Sequence, residues 1–204
     1  MYLPKIFKSE DLKLAKEIIN ENSFSSLIVS SGKILSTKAV ILVNQDEKDD
    51  FYLETHLSRA NPVAKILAND LEVLCDFIGA NTYISSSWYD HINVSTWNYE
   101  AVQVYGKVQL MSDDEFYVHL KRLTEKFESP QKCPMTIDKM GDKYVEQEMK
   151  GAVGFNIIPS EINVKQKLSQ NRNAKNKERI VQALNKSGLE QDSVMAKKIK
   201  TIDL

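Results

Sequence analysis

From Phe24 to Met111 the chain is a succession of short β-branched and aromatic runs punctuated by polar turns, which restricts the fold more than any other feature. Residues 24–31 (FSSLIVSS) and 34–43 (ILSTKAVILV) flank Gly32-Lys33 and predict a hairpin. The polar cluster at 44–50 (NQDEKDD) predicts a turn, and 51–57 (FYLETHL) a third strand. Residues 71–79 (LEVLCDFIG) are almost continuously apolar, as a buried strand requires. TYIS at 82–85 and the stretch from Thr96 to Met111 extend the sheet, with Gly106 expected at a bulge or bend. Strands and helices do not alternate, and no G-x-G-x-x-G occurs, which argues against a dinucleotide-binding Rossmann fold. The expected class is mainly β with peripheral helices (α+β), built on a small closed barrel.

The helices are marked at their ends. Ser9, followed by Glu10 and Asp11, predicts a helix over 9–21 with Leu12, Ala15, Ile18 and Ile19 on its apolar face. Asn61-Pro62 reads as a cap and first helical position for a two-turn helix over VAKILAND, 63–70. Ser112 and Glu115 have capping-box spacing and open a helix to about Glu128. Pro130 and Pro134 bracket a loop before a short helix at 142–149. A late strand over 151–164 is expected to break at Pro159. Helices at 176–187, closed by Gly188, and at 192–199 end the chain.

A chain of 204 residues supports one full core, and the division expected is 1–165 as barrel with 166–204 as an appended loop and helices. No apolar run reaches membrane-spanning length and the first residues lack a secretory signal. Cys75 and Cys133, 58 positions apart, make neither a disulfide framework nor a metal knuckle, so a cytoplasmic protein is expected. Net charge is −1, but residues 165–200 carry ten Lys and Arg against three acidic residues. Such a segment suits either a nucleic-acid contact or a solvated helix face.

Three segments could carry chemistry. Thr55 to Pro62 places His56, Ser58, Arg59 and Asn61 at a strand end before an expected helix, either a phosphate cradle or an ordinary capped turn. Trp88 and Trp97, each near a tyrosine and small hydroxyl residues, suit a planar ligand, a core or an interface equally. Lys167-Leu-Ser-Gln-Asn-Arg172 offers a recognition loop or a solvated linker. His56, His91 and His119 have no metal-ligand spacing, so no metal is expected, and Cys75 reads as an inert core thiol.

Taken in order, Met1-Tyr2-Leu3-Pro4, His56-Leu-Ser-Arg-Ala-Asn-Pro62, Tyr83-Ile-Ser, Ser87-Trp-Tyr89, Thr96-Trp-Asn-Tyr99, Ala101-Val102, Gly106 and Lys167–Arg172 with Arg179 resemble the PaiB-like FMN-binding negative transcriptional regulators. Serine stands at 86 and 95, and Met135 after Pro134, where that family's pattern carries proline twice and tryptophan. The resemblance implies a split β-barrel of the pyridoxamine-phosphate-oxidase kind, a homodimer, and FMN in a cleft between subunits. It implies a phosphate cradle at Ser58, Arg59 and Asn61 beside His56, ring contacts from Ser36, Thr37 and Lys38, and a wall of Trp97 and Tyr99. It further implies a closing loop of Lys167, Ser169, Gln170 and Arg172, supplied by the partner subunit.

Three functions follow as expectations: an FMN-binding dimer with a regulatory role, an FMN-dependent oxidoreductase, or a DNA-binding repressor acting through the basic segment. The residues name no catalytic acid or base and leave enzymatic activity open. No helix-turn-helix signature is evident, and only four arginines are present, whereas base readout favours arginine.

Overall fold

One hydrogen-bonded path of seven strands organises the computed structural model, which describes residues 1–45 and 51–202. The strands are β1 (Lys8–Ser9), β2 (Phe24–Ser31), β3 (Lys33–Val40), β4 (Leu42–Gln45), β5 (Phe51–Ser58), β6 (Glu72–Ile84), β7 (Thr96–Leu110) and β8 (Ala152–Lys167). The helices are α1 (Leu12–Glu21), α2 (Asp113–Glu128), α3 (Ile137–Met140), α4 (Asp142–Met149), α5 (Ala174–Lys186) and α6 (Glu190–Thr201). The expected turn at 44–50 falls largely outside the described residues.

The chain divides into two compact units. The first comprises Met1–Asn22, Phe77–Gln103 and Ile162–Leu204, and the second Ser23–Asp76 and Val104–Glu161. Segments of all seven strands on the path lie in the second unit, in the order β3-β2-β6-β7-β8-β5-β4, while β1 pairs with β8 in the first. Alternation puts Leu27 and Val29 of β2 and Val73 and Cys75 of β6 into the second unit's core, beside Leu53, Phe155 and Ile157.

The ends of the strand path, β3 and β4, are consecutive in the chain and separated by Ile41 alone. Ile41 is fully buried and its N–H donates to Ser23 O at 2.8 Å, while Thr55 Oγ1 donates to Val40 O at 2.7 Å. Those bonds bend the chain there, so the single strand expected over 34–43 is two. No ladder joins β3 to β4 among the described residues. The closed barrel expected from the sequence is therefore open, a split β-barrel with helices at its periphery.

Other expectations need correction. Ser9 belongs to β1, opposite Val164, and Asp11 caps α1 by accepting from Lys13 N and Leu14 N. Residues 63–70 yield only a three-residue 3-10 turn, Ala64–Ile66. The chain after it is captured by β7, with Asp70 N donating to Val108 O at 2.8 Å and Asn69 Oδ1 accepting from Leu110 N at 2.8 Å. Residues 71–79 and 82–85 merge into β6, and β8 runs through Pro159 without a break. Pro159 lies two residues past Ile157, the last residue β8 pairs with β5, so its missing N–H removes no bond from that ladder. The capping box at Ser112 and Glu115 forms as expected.

In the first unit α5 and α6 pack over Ile84, Tyr89 and Leu168 through Ile180, Leu184, Met195 and Ile199. Arg179 ties α5 to the preceding turn, its Nε donating to Trp88 O at 2.7 Å and its Nη2 to Tyr89 O at 3.2 Å. Trp88 is half-buried and packs against this cluster.

Candidate functional site

Strand alternation places Glu54, His56 and Ser58 on one face of β5, in the second unit. Beyond Ser58 the chain turns sharply. Asn61 N donates to Ser58 O at 2.9 Å, Ala60 N to Ser58 Oγ at 3.3 Å, and Arg59 N to Gly151 O at 2.9 Å. Asn61 Oδ1 accepts from Val63 N, and its Nδ2 donates to Thr37 Oγ1 at 2.9 Å, pinning the turn to β3. The backbone N–H groups of 59–61 are thus satisfied inside the turn, and no helix of useful length follows. The amide-and-dipole cradle foreseen at Ser58, Arg59 and Asn61 is absent; side chains must hold any anion here.

Those side chains suit a phosphate. Arg59 is exposed, uses Nε on Lys150 O at 3.2 Å, and keeps the fork of its guanidinium for a ligand. On β3, Thr37 faces the turn, whereas Ser36 and Lys38 alternate to the other face, where Lys38 Nζ donates to Ser26 Oγ at 2.8 Å; the structure does not bring these two to Arg59. Arg59 also lines a cavity of about 540 Å3 with Asp113, Asp114, Tyr117, Glu146 and Lys150. The carboxylates of Asp113, Asp114 and Glu146 make that cavity unfavourable to an anion.

His56 sits deeper. Its Nδ1 lies 3.0 Å from His119 Nε2, and on the far side of His119 the Nδ1 stands 3.5 Å from Glu54 Oε1. Arg122 Nη1 donates to Glu54 Oε2 at 3.0 Å, and Asn44 Nδ2 reaches the same oxygen at 3.5 Å. His119 is fully buried, and Phe116 stacks beside it at 6.2 Å. Burial pushes the His56 imidazole down to about 4, and the His119 charge adds to this. Burial raises the Glu54 carboxyl, but His119, Arg122 and Asn44 outweigh it and hold Glu54 below its ordinary value. Sequence spacing marks His119 only as a histidine outside any metal motif, and Glu54 and Arg122 not at all. The signal was there: Glu54 and His56 alternate on one strand face, and His119 and Arg122 are one helical turn apart.

The remaining candidates are in the first unit. Trp97 is about half exposed, donates from Nε1 to Asn81 Oδ1 at 3.3 Å, and meets Tyr83 edge-on at 6.1 Å. Lys165 Nζ lies 5.0 Å from the centroid of Tyr99. The 167–172 segment is a tight turn rather than a free loop. Lys167 Nζ donates to Thr96 Oγ1, and Arg172 lies 4.9 Å from the Tyr89 ring centre. Ser169 is buried in the left-handed region, accepting from Asn98 Nδ2 at 2.8 Å. Gln170 accepts from Leu168 N at 2.7 Å and donates to Gln166 O at 2.6 Å. Ser169 and Gln170 therefore build the turn, while Lys167 and Arg172 present its charge.

Comparison with known proteins agrees with the motif reading. A family model described as "Putative FMN-binding domain" matches residues 1–161. The chain is 38% identical over 174 residues to protease synthase and sporulation protein PAI 2 of Bacillus subtilis, covering 85% of this chain and 84% of that protein. Among solved structures it resembles an FAD and heme binding protein from Mycobacterium smegmatis, with TM-score 0.60 at 14% identity over 86% of this chain and 79% of that one. A flavocytochrome from Azotobacter vinelandii gives TM-score 0.54 at 16% identity, over 78% of this chain and 69% of that one. At these identities the structural likeness is one of fold.

Proposed function

The chain belongs to this FMN-binding domain family, and from that premise we propose that it works as an FMN-binding dimer with a regulatory role of the PaiB kind. The match over residues 1–161 is the observation that carries the reading. The donors at the turn agree with it: Arg59 supplies a cation, and Ser58 and Thr37 supply hydroxyls suited to a phosphate monoester, while Ser36 and Lys38 alternate to the other face of β3. Asn61 positions the turn through Thr37 rather than touching the ligand. When bound, FMN supplies reversible electron transfer at its ring.

His56 is held neutral at ordinary pH by burial, so it adds no charge beside the Ser58 turn. Trp97 and Tyr99 offer aromatic surface, and Lys167 and Arg172 offer cations; we assign these four to the flavin of a partner copy. Ser169 and Gln170 serve that assignment only by shaping the turn. A cytoplasmic location goes with the two free thiols, Cys75 and Cys133. No helix among the described residues is long and apolar enough to cross a membrane.

The test is an FMN titration of the purified full-length protein followed by flavin absorbance and fluorescence. Saturation at one FMN per chain supports the proposal. A flavin spectrum that remains that of free FMN at a large excess of protein defeats it.

A further inference from the structure

The Glu54–His119–His56 chain has a direction built into it. His119 Nδ1 is buried without a hydrogen bond and has the Glu54 carboxylate nearby, Oε1 at 3.5 Å; a proton on that nitrogen is favoured by the carboxylate and would turn a bare Nε2 toward His56. His56 must then donate from Nδ1 across the 3.0 Å contact, which leaves its own Nε2 as an acceptor. His56 lines a cavity of about 330 Å3 together with Ser58, Phe116, Leu120, Glu148 and Met149. The arrangement thus runs from a buried carboxylate, through two imidazoles, to a lone pair at a small cavity with mostly apolar walls.

We propose that His56, His119 and Glu54 form a proton relay serving this cavity. The ligand class that fits is a small neutral molecule with an exchangeable N–H or O–H. In the forward step that ligand gives its proton to His56 Nε2, and the proton on His56 Nδ1 passes to His119 Nε2. His56 ends neutral with its tautomer reversed, His119 ends as an imidazolium against Glu54, and the ligand ends one proton poorer; the reverse step restores all three. Charge comes to rest on His119 because Glu54 stands beside it, whereas His56 has none of that support.

Among the described residues, the groups facing the relay are Glu54 from β5, His119 and Arg122 from α2, Asn44 from β4 and Glu148 from α4 across the cavity; on the Glu54 side a second cavity adds Tyr52, Asp114, Glu115 and Asn156. Arg122 neutralises part of Glu54 and so limits how strongly the relay binds its proton. A metal reading of the same residues finds no support, since no cluster of three or more ligands for one ion occurs among the described residues. The inference does not rest on FMN.

The relay is testable on the protein without cofactor, with the proton itself as probe. Imidazole nitrogen NMR of the full chain should give His56 as the Nδ1–H tautomer and His119 as the Nδ1–H tautomer at neutral pH. On acidification His56 should stay neutral to about pH 4. Glu54→Gln should lower the proton affinity of the pair at least tenfold, and Glu148→Gln should leave it within about twofold. If Glu54→Gln does not fold, Arg122→Met provides the reverse test and should raise that affinity. His56 found as the Nε2–H tautomer, His56 charging near pH 6.5, or a midpoint unmoved in whichever of the Glu54 and Arg122 variants folds would overturn the relay. Absence of FMN binding would leave all these measurements standing.

Discussion

Gly106 and Ile158 face each other so closely across β7 and β8 that a Cβ on Gly106 would stand 2.6 Å from Ile158 O. The same atom would lie 2.8 Å from Ile157 Cγ2, a fully buried side chain. Both obstacles are fixed, one by the ladder and one by the core. Glycine at 106 is therefore a packing requirement rather than the bulge its isolation in a strand suggests. Gly106→Ala should destabilise the fold by about 1–3 kcal/mol, read as a lowered urea midpoint at unchanged slope.

The sheet was legible because its signal is local. Alternation marks β2, β5 and β7, and the Ser112–Glu115 box needs only four residues to form. What escaped depends on partners distant in sequence. Pro159 tolerates a strand because β5 stops at Ile157 on β8, and no window around Pro159 contains that fact. The helix expected over 63–70 loses to hydrogen bonds from β7, nearly forty residues on. At the site, the His56 motif flagged one end of the relay, while His119, 63 positions away, carried no motif at all.

Arg59 is the guanidinium left to a phosphate once the turn's own amides are used. Arg59→Ala should weaken FMN binding by about 1.5–3 kcal/mol, on the order of ten- to a hundredfold. Its side chain is exposed, so the unfolding midpoint should stay nearly constant. Unchanged FMN affinity would move the phosphate away from Ser58–Asn61.

Stability should depend on pH through His56. Its folded pKa of about 4 lies below the ordinary 6.5, so between those values the unfolded chain binds more protons than the folded one. Stability is therefore full above about pH 6.5 and is lost as the pH falls toward 4, by on the order of 3 kcal/mol in total. Urea unfolding at several pH values should show this slope, and His56→Gln should flatten it. An equal slope in both proteins would assign the loss to other groups.

A dimer should be detectable without cofactor. In the first unit Ile92 is fully exposed, Val94 about three-quarters, and Trp97 and Tyr83, which meet edge-on, about half. Exposed apolar side chains of this kind are what a self-complementary interface covers. Sedimentation at micromolar concentration should give a dimer, and Ile92→Lys with Val94→Lys should shift it toward monomer without altering the helical content. A wild-type monomer under those conditions would remove the dimer from the proposed function.

Any DNA binding through the basic segment should be weak and indifferent to sequence, because most of that charge is already in use. Lys165 donates to Tyr2 O, Lys167 to Thr96 Oγ1 and Arg179 to Trp88 O, while Arg172 covers the Tyr89 ring. Lys175 and Lys198 are paired with Asp90 at 3.1 Å and Glu100 at 2.7 Å. Arg179 thus holds the first unit together and Arg172, over the Tyr89 ring, is the one assigned to the flavin, so neither arginine is left to read a guanine edge. What remains is mainly lysine on α5 and α6, whose point charges position a duplex without reading it. Each phosphate neutralised should lower log K by roughly 0.9 for each decade of salt. Titrating an operator-like and a scrambled duplex at two salt concentrations should therefore give nearly equal affinities that fall together. Discrimination of more than about a thousandfold, the lower end of specific recognition, would mean that a surface other than these lysines reads the sequence, and regulation would then act through direct DNA contact.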